Sequence, residues 1–155
     1  MTDIQPLILL LGQHERQRDA ALAEQQRAQA ASTAAAAQAE QLRDYRRDYE
    51  QRWSAQFCRE GKIELVRCYQ SFMERLTQAV DQQTRVAEHA ATQYDHAVVA
   101  LREIELRCAS IRRLIERREQ ERRLGAERAD QKLSDETATR LAWNRLAGAG
   151  RIGLN

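Results

Sequence analysis

The stretch Phe57-Cys58-Arg59-Glu60-Gly61-Lys62 decides the fold, because Gly61 is the only helix breaker between Gly12 and Gly125. The 155 residues include six glycines and one proline, and the abundant Ala, Arg, Glu, Gln and Leu are strong helix formers. The sequence therefore predicts an all-α chain, a single coiled-coil domain over residues 1–155. Its predicted parts are helix one over about 5–57, a turn over about 58–62, helix two over about 63–145 and a flexible tail over 147–155.

Apolar residues in helix two recur at two positions per heptad. They are Leu65, Phe72, Ala79 and Val86, interleaved with Tyr69, Leu76 and Ala90, and then, after a shift near Gln93, Tyr94, Leu101, Cys108 and Ile115. The matching stripe of helix one is weaker and consists of Leu22, Ala28, Ala35, Ala39, Leu42, Tyr45, Tyr49 and Trp53. Such a narrow stripe is typical of a coiled coil rather than of a globular core.

The position of the break predicts how the two helices pair. If the chain folds back at Gly61, residue 61 − k faces residue 61 + k, so Leu7 faces about residue 115. The apolar stripe of helix two ends at Ile115, which favours a long antiparallel two-helix hairpin. Everything after Ile115 then forms a C-terminal helix overhang. This overhang is polar but ends in Leu141, Trp143 and Leu146, and we expect it to fold fully only against a partner.

Composition excludes several classes of partner. With 25 Lys and Arg against 23 Asp and Glu, a net charge of +2 creates no strong field for nucleic acid or an anionic membrane. The apolar run Leu7–Leu11 is far too short to span a bilayer. Cys58, Cys68 and Cys108 have no metal-binding spacing and are expected to be free thiols. The sequence predicts a soluble cytoplasmic protein that is monomeric on its own.

No residue pattern predicts catalysis, a cofactor or a metal site. His89 and His96 are seven residues apart, whereas zinc binding from one helix needs a spacing of four and further ligands. The arginine pairs at 112–113, 117–118 and 122–123 are offset by neighbouring glutamates. They fit a solvated face, or one that docks into an acidic protein groove, better than a nucleic-acid arm.

Most of the aromatic volume lies near the predicted turn, in Tyr45, Tyr49, Trp53, Phe57, Tyr69 and Phe72. Two interpretations are open. The aromatic side chains form a small core that fixes the turn, or the tip of the hairpin inserts into a socket on another protein.

Three segments resemble one known family. They are Asp44-Tyr45-Arg46-Arg47-Asp48-Tyr49, Tyr69-Gln70-Ser71-Phe72-Met73-Glu74-Arg75-Leu76 and Asp130-Gln131-Lys132-Leu133-Ser134-Asp135-Glu136. In this order around one short turn, they resemble FliJ, the stalk protein of bacterial flagellar type III export. The injectisome counterparts of the YscO type are similar. The alternative is a generic cytosolic coiled-coil scaffold or chaperone, which would associate symmetrically through its apolar stripe.

The resemblance implies a non-catalytic adaptor that lies at the inner membrane as a peripheral part of the export apparatus. Its implied partners are a hexameric export ATPase, the cytosolic part of the export gate membrane protein, and export chaperones. The implied gate contact consists of Phe72, Leu76, Ala79 and Gln83. The implied contact with the ATPase ring consists of Arg117, Arg118, Arg122, Arg123, Gln131 and Asp135. The heptad spacing, however, places Phe72, Leu76 and Ala79 between the two helices. Two interpretations are therefore open: these residues are buried in the hairpin, or they form an exposed binding face.

Overall fold

The computed structural model describes residues 3–152, with the side chains of Phe57, Cys58, Glu60, Arg151 and Ile152 outside the described set. These residues form two helices, α1 over Gln5–Glu60 and α2 over Ile63–Ile152. The two helices pack against each other, and the described part of the chain contains no strand. The predicted all-α helical hairpin is therefore confirmed.

The first helix begins where local side chains satisfy its free backbone groups. The carboxylate of Asp3 accepts a hydrogen bond from the backbone N–H of Gln5 at 3.0 Å. The first backbone bond of the helix runs from the N–H of Ile8 to the carbonyl of Ile4, also at 3.0 Å. Pro6 lies in the first turn, where a missing N–H breaks no helical hydrogen bond.

The turn between the helices consists of Gly61 and Lys62. Gly61 has a φ of +51°, the left-handed conformation that commonly ends a helix and that glycine adopts without steric cost. Arg59 in the last turn of α1 and Glu64 in the first turn of α2 both have the charge that the helix dipole favours. The carbonyl of Lys62 accepts the backbone N–H of Val66 at 3.3 Å, which starts α2 directly after the turn.

Two glycine substitutions should have opposite effects on stability. We expect Gly61→Ala to destabilise the hairpin by about 1 kcal/mol, because alanine is strained at positive φ. Gly125→Ala should stabilise α2 by up to about 1 kcal/mol, because Gly125 lies inside the helix and a Cβ there meets nothing within 4 Å. Thermal unfolding followed by circular dichroism measures both changes. Equal effects of the two substitutions would contradict this account of the turn.

The helix bounds differ from the predicted ones at both C-terminal ends. Helix α1 continues to Glu60 rather than about residue 57, and α2 continues to Ile152 rather than about residue 145. The flexibility predicted for residues 147–155 stays a prediction. A glycine inside a helix costs about 1 kcal/mol but removes no backbone hydrogen bond, so Gly148 and Gly150 do not end α2. Residues 153–155 lie outside the described set.

The chain divides into two compact units, one formed by Met1–Gln13 with Arg107–Asn155 and the other by His14–Leu106. The second unit contains the turn and shows the predicted pairing. Gln38 bonds Gln83, Tyr49 contacts Phe72 and Trp53 contacts Tyr69, each within one residue of the relation between 61 − k and 61 + k. The antiparallel register predicted from Gly61 is confirmed in this unit.

The face of α1 in this unit that turns away from solvent repeats every three or four residues, as in a coiled coil. Its buried or half-buried members include His14, Arg18, Ala21, Gln25, Ala28, Ser32, Ala35, Ala39, Leu42, Arg46, Tyr49 and Trp53. Leu22 and Tyr45, which we predicted on this face, are 40% and 52% exposed. The prediction for these two residues is wrong because small and polar residues occupy this face. A search for apolar residues alone does not detect them.

The matching face of α2 changes register earlier than predicted. Val86 is 48% exposed and Ala87 is half-buried, so the shift lies between Leu76 and Ala87 rather than near Gln93. In this stretch adjacent positions such as Ala79 and Val80 are both shielded. The physical reason is the small size of the buried Ala35 and Ala39 on α1, which lets α2 come close and shields a wider strip of it.

The other unit has its shielded residues at the start of α1 and along α2 as far as Glu119. Ile4, directly before α1, and Leu7 and Leu11 on α1 are half-buried, and Cys108 is 1% exposed on α2. Ile111, Ile115, Arg118 and Glu119 continue this face as half-buried positions. From residue 121 to residue 150 every side chain is exposed. The overhang predicted after Ile115 is present, and its fully exposed part begins a few residues later than predicted.

Candidate interaction surfaces

An aromatic cluster lies next to the turn and joins both helices. Tyr49 is at its centre, with ring centroids 4.3 Å from Phe72, 5.7 Å from Trp53, 6.1 Å from Tyr45 and 6.3 Å from Tyr69. Trp53 and Tyr69 are 5.3 Å apart. The cluster has the cross-helix contacts expected of a core that fixes the turn, yet Tyr45 is exposed and the other four residues are only half-buried. Phe57, predicted as a sixth member, lies outside the described side chains.

The turn-proximal patch, which is the predicted gate contact Phe72, Leu76, Ala79 and Gln83, faces α1. Leu76 is 7% exposed and the other three are half-buried. The amide nitrogen of Gln83 donates to the side-chain oxygen of Gln38 at 3.1 Å. The structure thus places these four residues together on the face toward α1, with Leu76 buried and Phe72 and Ala79 only partly shielded. Their contact with a gate protein stays a prediction.

Beside this patch a second cross-helix link involves Arg43 of α1. Its guanidinium donates to the hydroxyl of Thr84 at 3.0 Å and to Glu40 at 3.2 Å, and Thr84 in turn donates to the carbonyl of Val80 at 2.8 Å. The ion pairs of Arg47 with Glu40 and Asp44 run along α1 at 3.3 and 3.1 Å. Apolar periodicity could not reveal Arg43 and Thr84 as cross-helix partners, because both belong to polar residue types.

An open groove follows one side of the hairpin near the patch. Its wall on α1 consists of Arg46 and Glu50, whose ion pair measures 3.6 Å. Its wall on α2 includes Tyr69, Met73 and Thr77. The groove has an ion pair at one wall and aromatic and thioether groups at the other, so it suits a protein side chain better than a small substrate. Sequence reasoning missed Met73, which lies one position after the apolar stripe.

The C-terminal surface, consisting of Arg117, Arg118, Arg122, Arg123, Gln131 and Asp135, lies on one uninterrupted helix. Five of these residues are exposed and Arg118 is half-buried. Farther along α2, Trp143 and Leu146 are 72% and 69% exposed, which is costly for large apolar groups. The structure therefore leaves a long charged helix with an apolar end open to solvent. Its contact with an ATPase ring stays a prediction.

Sequence reasoning missed a further exposed apolar segment at the start of α1. Ile8, Leu9 and Leu10 are 43%, 73% and 40% exposed. The run Leu7–Leu11 is apolar on every side of the helix, so only part of it can be shielded on one face. The consecutive aliphatic residues were the available signal, and we used them only to exclude a membrane span.

The described residues contain no grouping typical of an active site or a metal site. No cluster of three His, Cys, Asp or Glu side chains has metal-binding geometry among them. His89 and His96 are both exposed, and a ring nitrogen of His14 lies 3.2 Å from the amide oxygen of Gln17. Cys68 is exposed and Cys108 is buried, both as free thiols, while Cys58 lies outside the described side chains. Within residues 3–152, neither helix has a stretch long and apolar enough to cross a membrane.

Comparison with known families agrees with this geometry. The family model described as "Flagellar FliJ protein" matches residues 3–147, which is nearly the whole chain and both described helices. The chain belongs to the FliJ family. FliJ family membership implies a stalk protein of flagellar type III export, and the family is a non-catalytic component of that machinery. Neither a curated protein nor a solved structure matches the chain.

Proposed function

We propose that this FliJ family chain connects two parts of the flagellar export apparatus. The C-terminal surface binds the hexameric export ATPase and stimulates it. The turn-proximal patch binds the cytosolic part of the export gate membrane protein. The chain also assists the delivery of export chaperones and their substrates, and it acts at the inner membrane as a peripheral component without nucleotide or metal of its own. The observation that carries the proposal is a family match over residues 3–147 together with a helix that is exposed from 121 to 150.

The charge pattern of the C-terminal surface supports the ATPase contact. Arg117, Arg122 and Arg123 are exposed, so their guanidinium groups are available to carboxylates on another protein. The helix around them includes no buried residue after Cys108, so an interface there would add apolar burial that the chain itself does not supply. A ring with an opening wide enough for one helix could contact all sides of such a segment at once.

The gate contact rests on the residues of the turn-proximal patch. Phe72 offers an aromatic edge and Ala79 a small neighbour, and both remain partly accessible. Tyr69 and Met73, which line the adjacent groove, extend this region with side chains that are frequent in protein interfaces.

Charge reversal at the C-terminal surface tests the ATPase contact. We expect the fourfold variant Arg117→Glu, Arg118→Glu, Arg122→Glu and Arg123→Glu to weaken the complex with the export ATPase by at least about tenfold at about 50 mM salt. At about 300 mM salt the difference should shrink, because counter-ions screen exposed charges. Surface plasmon resonance with immobilised ATPase measures both affinities.

A matched control carries the same change of charge elsewhere. The variant with Glu at Arg67, Arg75, Arg85 and Arg102 alters four exposed arginines of α2 before residue 107, and it should bind the ATPase as the unchanged chain does. Equal weakening by both variants would show that net charge, and not the C-terminal surface, attracts the ATPase. That result would remove the proposed contact.

A further inference from the structure

The segment of α1 from Gln38 to Trp53, here termed the α1 cover, lies over the turn-proximal patch. The ring centroids of Tyr49 and Phe72 are 4.3 Å apart, and the side-chain oxygen of Gln38 accepts a hydrogen bond from the amide nitrogen of Gln83 at 3.1 Å. Leu76 lies between these two contacts along α2 and is 7% exposed. Two of the four residues of the patch thus have a hydrogen bond or a ring contact with α1, and a third is almost inaccessible.

The α1 cover presents little fully buried apolar surface to α2. On α1 the buried residue within the cover is Ala39, at 2% exposure, and alanine contributes little apolar area. The aromatic contacts at its other end involve Tyr49 and Trp53, which are only half-buried. The ion pairs of Arg46 with Glu50 and of Arg47 with Asp44 join residues of α1 to each other and do not attach the cover to α2.

The turn provides a place about which the α1 cover can move. Gly61 has the left-handed φ of +51° and nothing within 4 Å of the position that a Cβ would take. A glycine with this freedom can change its backbone angles without steric cost. Movement at this point would swing α1 away from α2 and expose the patch.

We infer that the α1 cover shields the patch in the free protein and that gate binding requires the cover to separate from α2. This inference rests on the proposed gate contact. The free chain then binds the gate weakly, because only the fraction with a displaced cover is competent. The hydrogen bonds from Gln83 to Gln38 and from Arg43 to Thr84 lower that fraction together with the aromatic contacts, since all of them must break before α1 leaves this part of α2.

A reversible cross-link tests the inference directly. Leu42 and Val80 face each other in the pairing about Gly61, so Leu42→Cys with Val80→Cys places one thiol on the cover and one on α2. Cys58 and Cys68 are replaced by serine and Cys108 by alanine, and a short cross-linker with a cleavable centre joins the two new thiols. We expect the cross-linked chain to bind the cytosolic part of the export gate at least about tenfold more weakly than the same chain after cleavage. Isothermal titration calorimetry measures both states.

The outcomes separate the inference from the proposed function. Equal affinity before and after cleavage would overturn the inference and leave the gate contact in place. No binding in either state, with binding by the unchanged chain also absent, would overturn the gate contact and the inference with it. A control cross-link within α2, between Thr92→Cys and His96→Cys, joins two exposed positions outside the patch and does not tie α1 to α2, so it should leave gate binding unchanged.

A second variant tests the same inference without a cross-link. Gln38→Ala with Arg43→Ala removes both cross-helix hydrogen bonds from the α1 side and alters no residue of the patch. We expect gate affinity to rise roughly threefold, because a larger fraction of molecules has the cover displaced. The control pair Gln29→Ala with Arg47→Ala changes exposed residues of the same kinds and should have no effect. An unchanged or lower affinity for Gln38→Ala with Arg43→Ala would overturn the inference.

Discussion

Deleting residues 121–155 is expected to abolish stimulation of the export ATPase while the hairpin unit His14–Leu106 keeps its helicity and melting temperature. All side chains from 121 to 150 are exposed, so their removal eliminates no buried apolar area on which that unit depends. Under the proposed function Arg122, Arg123, Gln131 and Asp135 of this segment supply four of the six residues that contact the ATPase ring. Steady-state ATP hydrolysis measures the loss, and circular dichroism measures the retained fold.

A replacement of equal length provides the control for this deletion. In this control, residues 121–155 are replaced by a helix of the same length in which turns rich in Glu alternate with turns rich in Lys. The replacement restores length and helicity but not the original side chains. We expect this chain to be as inactive as the truncated one. If either chain stimulated the ATPase fully, the C-terminal surface would not be the activating element, and the aromatic turn would become the candidate.

A carboxylate at the most buried position of α1 is expected to separate the helices. Ala39 is 2% exposed, and Ala39→Asp places a short charged group there that cannot reach solvent along its own side chain. We expect a loss of stability of about 2 kcal/mol or more beyond the change in helix propensity. Urea unfolding followed by circular dichroism measures it.

Ala37→Asp is the matched control, because residue 37 is exposed on the same helix and undergoes the same change of side chain. Both substitutions lower helix propensity by the same amount, so the difference between their unfolding free energies measures the cost of burying the carboxylate. Equal stability of the two would mean that α1 does not pack through Ala39. The register about Gly61 would then lose its support in this region.

The fold could be predicted because one breaker in a helix-forming chain leaves few alternatives. Gly61 set the turn, and the mirror relation about it predicted the pairings of Gln38 with Gln83 and Trp53 with Tyr69 to within one residue. Helix ends were less predictable, because Gly148 and Gly150 are unfavourable in a helix without being forbidden. Local sequence therefore placed the turn more accurately than the end of α2.

The interaction surfaces could be predicted only in part. Large apolar residues gave the stripe of α2, but the face of α1 contains Arg18, Gln25 and Ser32 and has no such signal. The shift before Ala87 depends on how close the buried Ala35 and Ala39 allow α2 to come, which is a property of the pair and not of either sequence. The family resemblance predicted which residues form the patch. That Tyr49 and Gln38 shield it could be seen only from contacts between the two helices in the structure.

The central claim, that one chain connects the export ATPase to the export gate, is tested most directly by co-sedimentation of the three proteins. Analytical ultracentrifugation with a separate fluorophore on each protein follows whether the ATPase and the cytosolic part of the gate sediment together. The account predicts that they do so only when the unchanged chain is present, and not with the chain lacking residues 121–155. Co-sedimentation of ATPase and gate to the same extent with and without the chain would contradict it.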